Sequence, residues 1–193
     1  ENCEIILSGK VSEKEIALVE KFFGNDSCGS NDTELKVLER CPFHKREIIV
    51  NREGALQASI HMTHEAVSRR HPDYIKLRIL VTALGGYFGS RLMQNIREDK
   101  GYTYGIGASL LGHRNGAEVM ISSECDTAYT YLLIDEVKNE VRKLQEELIS
   151  EEELEIVRNY MLSDLAKTLD SPFSIASLVG SNILYTTGED YFN

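Results

Sequence analysis

The sequence predicts an α+β domain: a mostly antiparallel, mixed sheet with helices packed on one face. Two observations carry that expectation. Short apolar and alternating runs dominate the first two-thirds of the 193 residues, and helical patterns fill the last third, the segregated order expected of α+β rather than α/β chains. In that last third Ile134, Val137, Val141, Leu144 and Leu148 recur at intervals of three and four, the stripe of an amphipathic helix.

The elements follow in order. Glu4–Gly9 is a short apolar run ending in glycine and reads as a buried strand. Ser12 followed three residues later by Glu15 is a capping box, and Ile16, Val19 and Phe23 mark one face of a helix that stops at Gly24. Residues 25–31 form a polar loop. Glu47–Arg52 and Leu56–Val67 read as two strands joined by a turn through Glu53 and Gly54, with Leu56, Ala58, Ile60 and Met62 sharing a face. After Pro72, helices are expected over Asp73–Leu84, ending at Gly85-Gly86, and over Ser90–Lys100, ending at Gly101. Tyr102–Leu111 and Ala117–Cys125 are strands joined by His113-Arg114-Asn115-Gly116, where Asn-Gly is a hairpin signal. Ser150 and Glu153 make a second capping box, Leu154, Val157, Met161 and Leu165 continue on the next helix, and Ser171-Pro172 opens the last.

Composition excludes several function classes. Acidic residues outnumber basic ones and leave a net charge of −10, which disfavours grip on a nucleic-acid backbone. Hydrophobic residues make up 42%, enough for a packed core. The uncharged stretch Ile79–Ser90 is far short of the ~18 apolar residues of a spanning helix, so no transmembrane segment is expected. The chain opens on Glu1, Asn2 and Cys3 without a leader, and residues 1–193 read as one domain excised from a longer protein. Cys3, Cys28, Cys41 and Cys125 lack metal or redox spacing and read as mostly free thiols, with a Cys28–Cys41 bridge left open.

His61-Met62-Thr63-His64-Glu65 imitates a zinc motif. Its histidines are three apart on an expected strand, however, and such residues point to opposite faces, so one metal does not readily collect both. Gly105 and Gly107 sit inside a strand, where glycine marks a bulge or a close backbone approach rather than a nucleotide fingerprint. The informative segment is His71–Leu110. Arg97 falls in the last turn of a helix and Tyr104 on the strand that follows. Together they can aim a cation and a phenol at one point, an arrangement that stabilises a developing oxyanion. The plainer alternative is that Arg97 satisfies helix carbonyls and Tyr104 packs in a core.

His71-Pro72-Asp73, Leu84-Gly85-Gly86, Ser90-Arg91-Leu92, Arg97-Glu98, Gly101 and Tyr104 occur in an order that closely resembles the second half of the insulinase/pitrilysin-type zinc metallopeptidases. The opening strand, capped helix and Phe22-Phe23-Gly24 resemble the start of that half, so the likeness covers nearly the whole chain. It implies a protease of two similar halves facing across a cavity. The first half holds zinc through H-x-x-E-H, a motif this chain lacks. The second lends an Arg and a Tyr to the peptide or protein substrate, positions matched by Arg97 and Tyr104. On this resemblance the chain binds no zinc itself, is inactive alone, and has as partner a zinc-bearing half on the same or another chain. The alternative within the family is a non-catalytic structural or assembly subunit of the same fold. A soluble protein of the bacterial cytoplasm or periplasm fits either reading.

Overall fold

The computed structural model describes residues 4–24, 44, 46–113 and 116–185. Its centre is a three-stranded sheet in the order β1-β3-β2, with β1 at Gln57–Ala66, β2 at Thr103–His113 and β3 at Gly116–Asp126. Both ladders are antiparallel. Ile60 pairs with Ser123, which pairs with Ile106, while Met62, Ile121 and Ala108 form the next row. These side chains face one way, because alternate residues of a strand share a face. Against that face lie Val81, Leu84, Leu92, Ile96, Leu133 and Val137, making one core with Cys125.

The helices are α1 (Glu13–Phe23), α2 (Tyr74–Val81), α3 (Thr130–Glu146), α4 (Glu151–Leu169) and α5 (Pro172–Tyr185). Two π-helical segments, Thr82–Gly86 and Met93–Asp99, replace the expected ends of the two central helices. The Ser12 capping box forms as expected: Glu15 accepts from the Ser12 N–H at 2.9 Å and from its hydroxyl, and Ser12 accepts from the Lys14 N–H. Those bonds to Ser12 hold the Glu15 carboxyl below the usual range. On α3 four of the five expected stripe residues meet the core. Val137 is fully buried and Ile134, Val141 and Leu144 pack on the core, while Leu133 joins them unforeseen. Leu148 lies past the helix end and is exposed. Ser150 caps α4 through the Glu153 N–H at 3.2 Å. The Glu153 carboxylate does not close a box. It takes two parallel 2.7 Å hydrogen bonds from Arg91 instead, a geometry that suits a guanidinium.

Two expected strands are absent from the sheet. Residues 4–8 and 46–52 carry no strand pairing, because an apolar run becomes a strand only where a ladder partner accepts its backbone groups. The first run lies beside α5: the Ser8 hydroxyl donates to the Pro172 carbonyl at 2.5 Å. In the second, Ile48, Ile49 and Val50 are exposed. The turn at Glu53-Gly54 does form, with Gly54 at φ +74°. Leu56 precedes β1 and is exposed, so it leaves the face shared by Ala58, Ile60 and Met62. The predicted apolar face of α1 buries no residue among those described. Cys3, Cys28 and Cys41, the polar loop 25–31, and Arg114-Asn115 lie outside the described residues. Helix α5 is uncharged, and no helix among the described residues is long and apolar enough to cross a membrane.

Candidate functional site

The second π-helical segment ends at Asp99 and runs into β2 through Gly101, whose φ of +65° gives the tight reversal. Lys100 N–H bonds to the Asn95 carbonyl and Tyr102 N–H to the Ile96 carbonyl. This wide turn sets Arg97 at the mouth of a groove. The Arg97 guanidinium donates to Glu98 at 2.5 Å and lies 4.7 Å from the centre of the Phe88 ring. Its side chain therefore faces outward, with carboxylate and aromatic support. The Arg97 backbone carbonyl is met by the Gly101 N–H, so the helix end is closed by the main chain and does not consume the guanidinium.

Tyr104 is 93% exposed, which overturns the alternative of a core tyrosine. The strand pairing explains why. Thr103 pairs with Cys125 and Ile106 with Ser123, so Tyr104 and Gly105 together oppose Glu124, which makes a β-bulge. Arg97 and Tyr104 line one open groove of roughly 840 Å³. Its other walls include Leu56, Tyr102, Glu124 and Tyr129. Tyr102 and Tyr129 stack with ring centres 4.9 Å apart. Cys125 also borders the groove, but it is buried and its thiol is pushed up by that burial.

His61 and His64 both lie on β1, three residues apart and thus on opposite faces of the sheet. His61 is 3.4 Å from the Ser59 hydroxyl, and His64 bonds to the Glu65 carbonyl. Among the described residues no three His, Cys, Asp or Glu side chains could jointly hold a metal ion, so zinc does not fit here.

The family model described as the peptidase M16 inactive domain matches residues 1–161. The chain belongs to that family. Two curated relatives are named uncharacterized zinc proteases. One, YmxG of Bacillus subtilis, is 27% identical over 180 residues, covering 93% of this chain and 43% of the relative. The other, from Rickettsia bellii, is 24% identical, covering 94% of this chain and 43% of the relative. This M16 half thus spans less than half the length of the curated relatives it matches. A protease from Helicobacter pylori superposes with TM-score 0.75 at 18% identity, covering 93% of this chain and 44% of that one. The peptidase M16 inactive domain of Pseudomonas fluorescens gives 0.64 at 22%, covering 70% and 32%. The periplasmic protease PqqL of Escherichia coli gives 0.66 at 22%, covering 93% and 20%. These likenesses establish the α+β fold.

The structure brings Arg97 and Tyr104, the two residues singled out in the sequence, to one groove; Phe88, Thr103 and Ser123 around them were not singled out, and Glu98 was named only as part of the Arg97-Glu98 match. The available signal was the glycine of Tyr104-Gly105, read as a bulge or a close approach. The structure shows the bulge, at Tyr104-Gly105, whereas a Cβ on Gly107 would meet the Gly85 carbonyl only at an ordinary 3.6 Å.

Proposed function

We propose that residues 1–193 form the non-zinc half of a zinc-dependent endopeptidase, lending Arg97 and Tyr104 to a peptide held between this half and a zinc-bearing one. The zinc and the water it activates belong to the partner half, on the same chain or another. The substrate backbone lies extended along the groove. Tyr104 donates its phenol O–H to the scissile carbonyl oxygen as that atom becomes an oxyanion. Arg97 holds a neighbouring carbonyl and adds positive field, its guanidinium steadied by Glu98 and Phe88.

The observation that carries this reading is that a tyrosine exposed to 93% shares a groove with a propped arginine. A large aromatic side chain held in water at a groove wall is poorly explained by core packing. The test is turnover of a peptide by the full-length protein carrying Tyr104→Phe or Arg97→Lys, with zinc content and thermal midpoint alongside. Variants that turn over like the parent would assign this half to a structural or assembly role instead.

A further inference from the structure

We propose that Thr103 and Ser123 are positioning residues for Tyr104: their hydroxyls lock the β-bulge that turns the phenol out of the core and into the groove. The inference rests on the reading of Tyr104 as a substrate-facing group and adds residues that do not touch substrate.

Strand parity states the problem. Ile106 and Ala108 are buried on the core face of β2. Counting back from Ile106 through a regular strand, Tyr104 falls on that same face and Thr103 on the opposite one. The observed arrangement is reversed, with Thr103 buried and Tyr104 exposed. The extra residue of the bulge accounts for the reversal, since a bulge re-aims the side chain beside it.

Thr103 and Ser123 hold that bulge closed. Thr103 Oγ1 is 2.5 Å from the Glu124 carbonyl and accepts from the Gly105 N–H at 3.1 Å. Ser123 Oγ is 3.0 Å from the Gly105 carbonyl and 3.1 Å from Thr103 Oγ1. Each hydroxyl has one proton to give. Thr103 Oγ1 also lies 3.0 Å from the Gly105 carbonyl, so its proton serves Glu124 or Gly105 and that of Ser123 serves Gly105 or Thr103. Both main-chain groups of Gly105 thus lie within hydrogen-bond reach of side chains from the core face. Thr103 and Ser123 are 8% and 7% exposed in an otherwise apolar cluster. Two hydroxyls there pack less favourably than Val and Ala, unless the bonds they make matter. Those bonds end on the residue next to Tyr104.

The experiment uses the full-length protein with its zinc-bearing half and measures single-turnover peptide cleavage, KM and thermal midpoint. Variants are Thr103→Val, Thr103→Ser, Ser123→Ala, Tyr104→Phe, and each of Thr103→Val and Ser123→Ala combined with Tyr104→Phe. A misaimed phenol predicts a loss of roughly 10- to 100-fold in the cleavage rate for Thr103→Val, with KM little changed. Ser123→Ala gives a smaller loss, and Thr103→Ser recovers most of the rate. In the Tyr104→Phe background neither change lowers the rate further, although the thermal midpoint falls as before. A purely structural role predicts losses that multiply in that background, and that result overturns the proposal. So does a Thr103→Val enzyme with the parent rate while Tyr104→Phe is slow. If Tyr104→Phe itself is fast, the reading of Tyr104 fails first and this one with it. Should Thr103→Val not fold, the milder Ser123→Ala pair decides the same comparison.

Discussion

Gly85 and Ala108 approach so closely that a side chain cannot fit between them: a Cβ on Gly85 would lie 2.5 Å from the Ala108 nitrogen and 2.7 Å from its Cβ. Gly85 is the penultimate residue of the first π-helical segment and Ala108 lies in the middle of β2. This contact sets the distance between helix and sheet beneath the groove. Because the obstacle includes main chain, it cannot rotate away. Gly85→Ala should therefore destabilise the domain by about 1–3 kcal/mol, the usual cost of overpacking. The check is the thermal midpoint of the purified protein, and an unchanged midpoint would refute the contact.

Tyr104→Phe in the zinc-loaded full-length protein should lower turnover by about 10²–10³, the usual loss on removing one oxyanion donor. Arg97→Lys keeps the charge and loses the planar fork. Its loss should be smaller than that of Arg97→Ala. Steady-state kinetics beside zinc analysis checks both, and near-full turnover by Tyr104→Phe would remove the residue from the chemistry.

The isolated 193-residue chain should retain no stoichiometric zinc after dialysis and cleave no peptide. Its described residues bring no three ligand side chains together, and an Arg with a Tyr does not activate water. Metal analysis and a peptide assay are sufficient. Chelator-sensitive cleavage by this chain alone would overturn the half-enzyme reading.

Glu136 links the end of the second π-helical segment to α3. It sits 2.5 Å from Lys100 Nζ and accepts from Asn95 Nδ2 at 3.1 Å, and Lys143 adds positive field. The bond from Lys100 is the chief reason its carboxyl lies below the ordinary range. A carboxyl lowered in the folded state stabilises the fold above its unfolded pKa, and that contribution is lost as pH falls through the folded value. Glu136→Gln should therefore be less stable than the parent near pH 7, and the gap should close as pH falls through and below the ordinary glutamate range. Denaturant midpoints across that range test it. A gap that stays constant would mean that the ion pair contributes nothing.

The parts of the fold legible in the sequence were those with local causes. The capping serine of α1, the break after Pro72 and the spacing of Val137, Val141 and Leu144 each follow from neighbours a few residues away. Residues 4–8 and 46–52 have the composition of strands, yet a strand needs a partner's hydrogen bonds, and no local pattern supplies one. The candidate site divides in the same way. Arg97 and Tyr104 were visible through spacing and resemblance. The Phe88 ring beneath Arg97 and the Thr103–Ser123 pair behind Tyr104 depend on a turn and a ladder that join separate stretches of chain. The Arg91–Glu153 pair spans 62 positions, and the sequence made Glu153 a capping residue because its neighbour Ser150 was all that could be seen.

The π-helical segment Met93–Asp99 makes the orientation of Arg97 sensitive to chain length rather than to side-chain chemistry. A π turn is an α-helix carrying one residue more than its hydrogen-bond ladder needs. Removing a residue upstream of Arg97 lets the ladder relax to ordinary α pairing, a change that helix propensity would welcome. The wider π turns absorb that extra residue, so the same deletion would leave the residues beyond the segment in phase, while the side chains inside it, Arg97 among them, would change their angle to Phe88 and the groove with every side chain in the site keeping its identity. A related chain could thus lose this geometry without one substitution among its recognised residues, and a comparison that scores only matched letters would still count the site as intact.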